Sequence, residues 1–280
     1  MLVLSYVDEQ VVDIPIDITP QAHNFLALVV SFLLVSRVNI ALNRYNVARD
    51  CLGQMCRSTR DLVQNACVLS LDGSSNQADC MWRNEIAYRT LLLLRTSMAV
   101  VGFRTTSEPA WAVPELNGEE YDDIKNSIFL PTTSSQQDEV VNKYATSHIQ
   151  GTWQETMRVP IRVAYLLRKS IQSQGKRLNK PLVFSAENKL YGCVDSFMGG
   201  YYGIRKFLTT PVPFPLVQMS RTFMFLFVFT VPFVMLSDRS NLIAHCFAVF
   251  LLTYGFMGLE AVAIELDDPF GDDENDFDAM

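Results

Sequence analysis

The residues with the greatest capacity for chemistry stand at the end of the chain, where Glu265-Leu-Asp-Asp-Pro-Phe-Gly-Asp-Asp-Glu-Asn-Asp-Phe-Asp278 sets carboxylates almost side by side. Such a string offers the hard oxygen atoms that calcium takes in sets of six to eight, but its spacing does not match an EF-hand loop, so the string alone specifies no ion. Nine of the 30 acidic residues lie from Glu260 onward with no base among them. The net charge of −7 is therefore local, and the rest of the chain is close to neutral. No basic cluster suggests a nucleic-acid surface.

Other catalytic constellations are missing from the sequence. Cysteines 51, 56, 67, 80, 193 and 246 form no Cys-x-x-Cys pair and no zinc-type spacing, and read as free thiols on helices. His23, His148 and His245 stand far apart and outside any His-Glu-x-x-His pattern, which argues against a transition-metal centre. With no nucleophile, base or metal constellation, a membrane-bound enzyme drops out of consideration.

The elements that would position the acidic string are long and apolar. A helix crosses a hydrocarbon core of about 30 Å with roughly 20 apolar residues. Leu242 to Ile264 carries a single charged side chain, Glu260, and is long enough to cross. Thr222 to Leu236 is shorter, flanked by Arg221 and by Asp238-Arg239, and Ser237 to Asn241 is a polar linker suited to a tight antiparallel connection. The pair reads as a membrane hairpin. With 49% hydrophobic residues and a mean hydropathy of +0.13, the chain is too apolar for an ordinary soluble protein and too polar to lie wholly in lipid.

A third apolar segment, Phe25 to Leu42, is interrupted by Arg37 and follows Pro20 at a plausible helix start. Leu28, Phe32 and Ser36 fall at i, i+4 and i+8, and Asn39 and Asn43 continue the same face, so one stripe passes from large apolar to polar. On spacing alone this is a face buried against protein. Beyond it, Arg44 to Leu71 is amphipathic, Trp82 to Phe103 is a helix, and Thr105 to Gln136, with Pro109, Pro114, Pro131 and Asn117-Gly118, reads mostly as loop. Gln137 to Ser173 is helical, kinked or divided at Pro160. Ala186 to Leu208 is a helix whose Gly192, Gly199, Gly200 and Gly203 permit close helix approach, and Thr209 to Pro215, with three prolines, breaks it.

Three blocks resemble the bestrophin family of anion channels, in particular its bacterial and plant branch. They are Phe32-Leu-Leu-Val-Ser-Arg-Val-Asn-Ile-Ala-Leu-Asn-Arg-Tyr-Asn-Val-Ala-Arg-Asp-Cys-Leu-Gly53, Thr210-Pro-Val-Pro-Phe214, and Gly258-Leu-Glu-Ala-Val-Ala-Ile-Glu-Leu-Asp-Asp-Pro-Phe-Gly-Asp-Asp-Glu-Asn-Asp-Phe277. Their order and separation extend the resemblance over roughly residues 20 to 278.

The resemblance implies an all-α fold: multi-pass membrane helices continuing into a cytosolic helical bundle, assembled as a bestrophin-like homopentamer around one pore. It implies an N-terminal segment 1–21, a pore-lining membrane helix 22–43, an aqueous helical region 44–208, a Pro-rich breaker 209–219, a membrane hairpin 220–264 and an acidic tail 265–280. By position, Leu28, Phe32 and Ser36 form the neck, Asn39 and Asn43 the polar pore lining below it, and Phe214 stands near the aperture, which reverses the core reading of this stripe. Calcium, as a gating ion, would take the side chains of Asp273 and Asp276 and the backbone carbonyls of Glu265 and Asp268. The bland alternative is a solvated acidic cap that seats Pro269 and Phe270 against the hairpin.

The implied function is conduction of chloride or bicarbonate across a bilayer by a homo-oligomer, in a thylakoid or plasma membrane that the sequence does not distinguish. The rival is a non-conducting scaffold or regulatory subunit of the same fold. Three departures bear on the choice. Only three of the family's four membrane helices are visible, Ser36 replaces a bulky apolar neck residue, and Arg205 stands where relatives commonly have glutamate.

Overall fold

The computed structural model describes residues 20–71, 77–128, 153–236, 242–271 and 277, and among them only helices and turns occur. The chain divides into two units. One takes the described residues of Met1–Asn46 and Thr210–Pro269, the other those of Val47–Thr209 and Phe270–Met280.

Helix α1, Pro20–Leu69, is one uninterrupted run of 50 residues, and it joins the apolar and amphipathic segments of the sequence without a break. No proline or glycine cluster falls between Phe25 and Leu52 to stop it. In the first unit it is accompanied by α7, Phe214–Leu236, and α8, Leu242–Asp267. Helix α7 begins eight residues before the expected Thr222, because Pro215 sits in its first turn, where a missing N–H is harmless. The expected linker 237–241 lies outside the described residues. A small core of Val30, Leu34, Met224, Phe227 and Val231 holds the three helices, with Val249 and Phe256 of α8 against it. His23 stacks on Phe227 at 4.7 Å.

The second unit holds the C-terminal half of α1, then α2 (Gln77–Thr106), α3 (Gly118–Ile128), α4 (Val159–Gln172), the single turn α5 (Gln174–Arg177) and α6 (Phe184–Thr209). Their apolar residues repeat at three and four: Val163, Leu167 and Ile171 on α4, and Leu190, Val194, Phe197, Tyr201 and Ile204 on α6, all buried in one cluster. Helix α2 runs antiparallel to α4, with Trp82 Nε1 donating to the Ser170 carbonyl (3.1 Å) and Arg89 Nη1 to that of Leu166 (2.8 Å). The Tyr201 hydroxyl donates to the Met157 carbonyl at 2.6 Å, and burial pushes its ionisation well above the ordinary phenol range, so it remains a donor.

One expectation changes here. Helix α3 lies in a stretch read as loop: Asn117, taken for a turn residue, caps it, its Oδ1 accepting the Glu119 N–H at 3.0 Å. Pro160 divides the expected helix: residues 153–156 are helical, 157–158 form a turn, and α4 starts anew at Val159 with the proline in its first turn. The part of that expected helix before residue 153 lies outside the described residues.

Of the four glycines of α6 expected to permit close approach, Gly200 and Gly203 do so, and Gly192 does not. Gln54 Nε2 donates to the Ser196 carbonyl (2.8 Å) and Ser58 to Ser196 Oγ (3.0 Å), so α6 runs antiparallel along α1. A Cβ on Gly200 would lie 2.8 Å from the Cys51 carbonyl oxygen and 2.9 Å from Met55 Cγ, and one on Gly203 would collide with Cys51 Sγ. Gly200→Val is expected to lower stability by about 1–3 kcal/mol through forced separation of the helices, visible as a lower midpoint of thermal unfolding in detergent. Gly192→Ala, where a Cβ meets nothing within 4 Å, is the control.

Candidate functional site: the exposed face of the first helix

At 100° per residue, Leu28, Phe32, Ser36, Asn39 and Asn43 fall within one narrow sector of α1, while Val30, Leu33, Leu34, Arg37 and Ala41 fall roughly opposite. Burial follows that division. The second set is buried, and Leu28 and Phe32 remain 67% and 70% exposed. Asn39 and Asn43 are exposed and Ser36 is half-buried. The buried-face expectation drawn from spacing is thereby corrected: within its own unit this stripe is uncovered. A purely lipid-facing stripe would not end in two asparagines, because an amide in hydrocarbon without a partner is costly.

Phe214 opens α7 and is 73% exposed. Four residues before it, the Thr210 carbonyl accepts from Arg44 Nη1 of α1 at 3.0 Å, just ahead of the prolines. Glu265 and Asp268 are exposed at the end of α8, whereas Asp273 and Asp276 lie outside the described residues. Phe270, expected against the hairpin, is buried in the second unit, with Phe207 and Phe277 as ring neighbours at 5.8 and 5.6 Å.

The sequence reading missed two ion pairs in the first unit. Arg37, noted only as an interruption, is 2% exposed and pairs with Asp267, the last residue of α8. Glu260, noted only as a lone charge, is buried and accepts from Arg221 Nε at 2.7 Å. Glu260, Ala263 and Asp267 share one face of α8, so this single face meets α7 through one pair and α1 through the other. The available signal was chemical: a lone arginine and a lone glutamate, each inside an apolar run, require partners.

Among the described residues, four helices are long and apolar enough to cross a membrane: Gln21–Leu69, Gln77–Thr106, Phe214–Met235 and Ile243–Asp267. The sequence reading found three. Helix α2 qualifies by composition, and its apolar residues Ile86, Leu92, Leu93, Val100 and Val101 are buried in the protein core of the second unit.

The model of the family described as Bacterial/Fungal Bestrophin protein matches residues 1–279. The chain belongs to that bestrophin family. Among curated relatives, the voltage-dependent anion channel-forming protein YneE of Salmonella typhimurium is 30% identical over 107 residues, which is 38% of this chain and 33% of the relative. The chain thus spans only about a third of that protein in the match. The voltage-dependent anion channel-forming protein sll1024 of Synechocystis is 23% identical over 89% of this chain and 69% of its own length. A bacterial bestrophin homologue from Klebsiella pneumoniae superimposes with a TM-score of 0.71 at 18% identity, covering 99% of this chain and 87% of that one. This bestrophin is a multi-pass integral membrane protein with the family's all-helical fold.

Proposed function

We propose that this bestrophin conducts small monovalent anions, chloride or bicarbonate, through a central pore of a homopentamer lined by α1. The observation that carries the proposal is the uncovered stripe from Leu28 to Asn43, apolar at one end and amide-bearing at the other. Leu28, Phe32 and Ser36 would form the neck, a ring of apolar side chains that closes by losing water. Asn39 and Asn43 below it, and the ring edge of Phe214 at the aperture, present partial positive charge that attracts an anion without holding it. Family membership, and the similarity to the anion channel-forming proteins YneE and sll1024, support a channel rather than an enzyme.

Reconstitution of the purified full chain into liposomes tests this. Chloride efflux above that of empty vesicles is the expected result. A verified homopentamer without efflux would favour the scaffold reading, to which the hydroxyl of Ser36 in the neck lends its support.

Calcium is proposed as a regulator at the acidic string. Glu265 lies in the last turn of α8, where carbonyls lack helical partners and the dipole favours a cation, and Asp268 follows directly. Their carbonyls would be joined by the side chains of Asp273 and Asp276, so that calcium supplies charge neutralisation there. Among the described residues no group of three or more His, Cys, Asp and Glu could hold a metal. Removing calcium with a chelator is expected to change chloride efflux severalfold, and Asp273→Ala is expected to abolish that response. Identical efflux with and without micromolar calcium would remove calcium from the account.

A further inference from the structure

We propose that the Arg37–Asp267 pair is a strut that fixes the rotation of α1 about its axis, and so sets which side chains of the stripe face the pore. Arg37 acts here as a positioning residue; it does not itself face the conduction path. The inference rests on the conduction reading above for its functional consequence, and on geometry for the strut itself.

Arg37 follows Ser36 directly and precedes Asn39 by two positions, so it stands at the junction of the apolar and amide-bearing parts of the stripe, on the opposite side of the helix. It is among the largest fully buried side chains in the chain. Its neighbours on that side, Val30, Leu34 and Ala41, are apolar and give no directional hold. An apolar contact tolerates rotation, while a guanidinium–carboxylate hydrogen bond is directional. Among the described residues, Arg37 Nε and Nη1 and Asp267 Oδ1 have no hydrogen-bond partner, so the bond from Nη2 to Oδ2 is the polar anchor of α1 at this junction, two turns before the bond from Arg44 to the Thr210 carbonyl.

The other end of the strut is itself fixed. Asp267 ends α8, and seven residues earlier Glu260 on the same face is bonded to Arg221 of α7. Helix α8 is thus held at two points, one toward α7 and one toward α1. Asp267 also lies between Glu265 and Asp268, so any ligand that displaces the acidic string acts next to the carboxylate that holds α1. The pair, buried at Arg37 and partly exposed at Asp267, contributes orientation rather than net stability, since ion pairs taken out of water are often replaceable by apolar residues without loss of folding.

That replaceability provides the test. Arg37→Met/Asp267→Leu keeps the volume and drops the strut, Asp267→Asn keeps the shape and drops the charge, and Arg37→Lys keeps the charge. Each is made in the full chain, checked for assembly by size exclusion, and read two ways in liposomes: chloride efflux, and the rate at which a water-soluble thiol reagent labels an added Asn39→Cys, relative to the parent. The apolar double variant is expected to assemble, to change efflux by about tenfold and to shift the labelling rate about fivefold, as a rotated stripe would. Asp267→Asn is expected to do the same, and Arg37→Lys to stay within about threefold of the parent in both. An assembled apolar double variant with parental efflux and labelling would overturn the strut. So would failure of both the double variant and Asp267→Asn to assemble while Arg37→Lys is normal, which would make the pair a folding element only. If the parent passes no chloride, the conduction reading fails, and the labelling rates alone still decide the strut.

Discussion

Phe32→Ala is expected to raise chloride efflux at least tenfold. The phenyl ring is 70% exposed on the uncovered stripe, and in an assembly of several copies its removal would widen the neck once per subunit. An apolar constriction blocks ions chiefly because water withdraws from it, so its diameter enters the barrier steeply. A tenfold rise needs only about 1.4 kcal/mol off that barrier. The neighbouring polar group sharpens the expectation: Ser36 already offers a hydroxyl one turn below Phe32, so in the proposed neck loss of the ring would leave Leu28 without a large apolar neighbour below it. Phe229→Ala, at an equally exposed phenylalanine on α7 rather than on the stripe, should leave efflux unchanged. The comparison is made by halide-sensitive fluorescence in vesicles loaded with equal amounts of each variant. Equal rates for the parent and Phe32→Ala would remove this residue from the neck.

The largest expected effect on stability is at Trp82, whose side chain has no exposed surface. Trp82→Ala should cost about 3–5 kcal/mol, since the space it leaves lies between α2 and α4, whose packing is fixed from both ends. The indole N–H donates to the Ser170 carbonyl at 3.1 Å, but the Ser173 hydroxyl also donates to that carbonyl, at 2.8 Å. Losing the indole donor therefore leaves no unpartnered oxygen. Trp82→Phe should accordingly cost far less, about 1 kcal/mol, and the gap between the two measures packing rather than hydrogen bonding. Thermal unfolding in detergent, followed by far-ultraviolet circular dichroism, reads both. A Trp82→Phe midpoint as low as that of Trp82→Ala would place the stability in the hydrogen bond instead.

Much of the fold was legible because long helices announce themselves. The 3.6-residue repeats of α4 and α6, the apolar lengths of α7 and α8, and the prolines after Thr209 each point to one local structure, and the structure has it. Where the sequence reading failed, one residue type had two uses. Asn117-Gly118 is a turn signal, and the same asparagine caps α3. Pro160, by contrast, divides its helical stretch as expected, and what sequence alone did not say is that the break falls at 157–158, just before the proline opens α4.

The stripe on α1 shows the same limit at the candidate site. Leu28 and Phe32 at helical spacing are what a buried face looks like, and only the buried set opposite them, Val30, Leu34, Arg37 and Ala41, shows that this face is left uncovered. The ion pairs were hidden for a different reason. Arg37 and Asp267 are 230 residues apart in sequence. Nothing local specifies that pairing, although the need of an arginine in an apolar run for a carboxylate was a general clue.

The central claim, an anion pore lined by this stripe, is tested most directly by current through planar bilayers containing the purified Ser36→Cys variant. Addition of a bulky, negatively charged thiol reagent should abolish its anion current irreversibly and leave that of the parent, with its six native cysteines, unaffected. An undiminished current after complete modification of Cys at that position would mean that anions take another path, and the stripe would not be the pore.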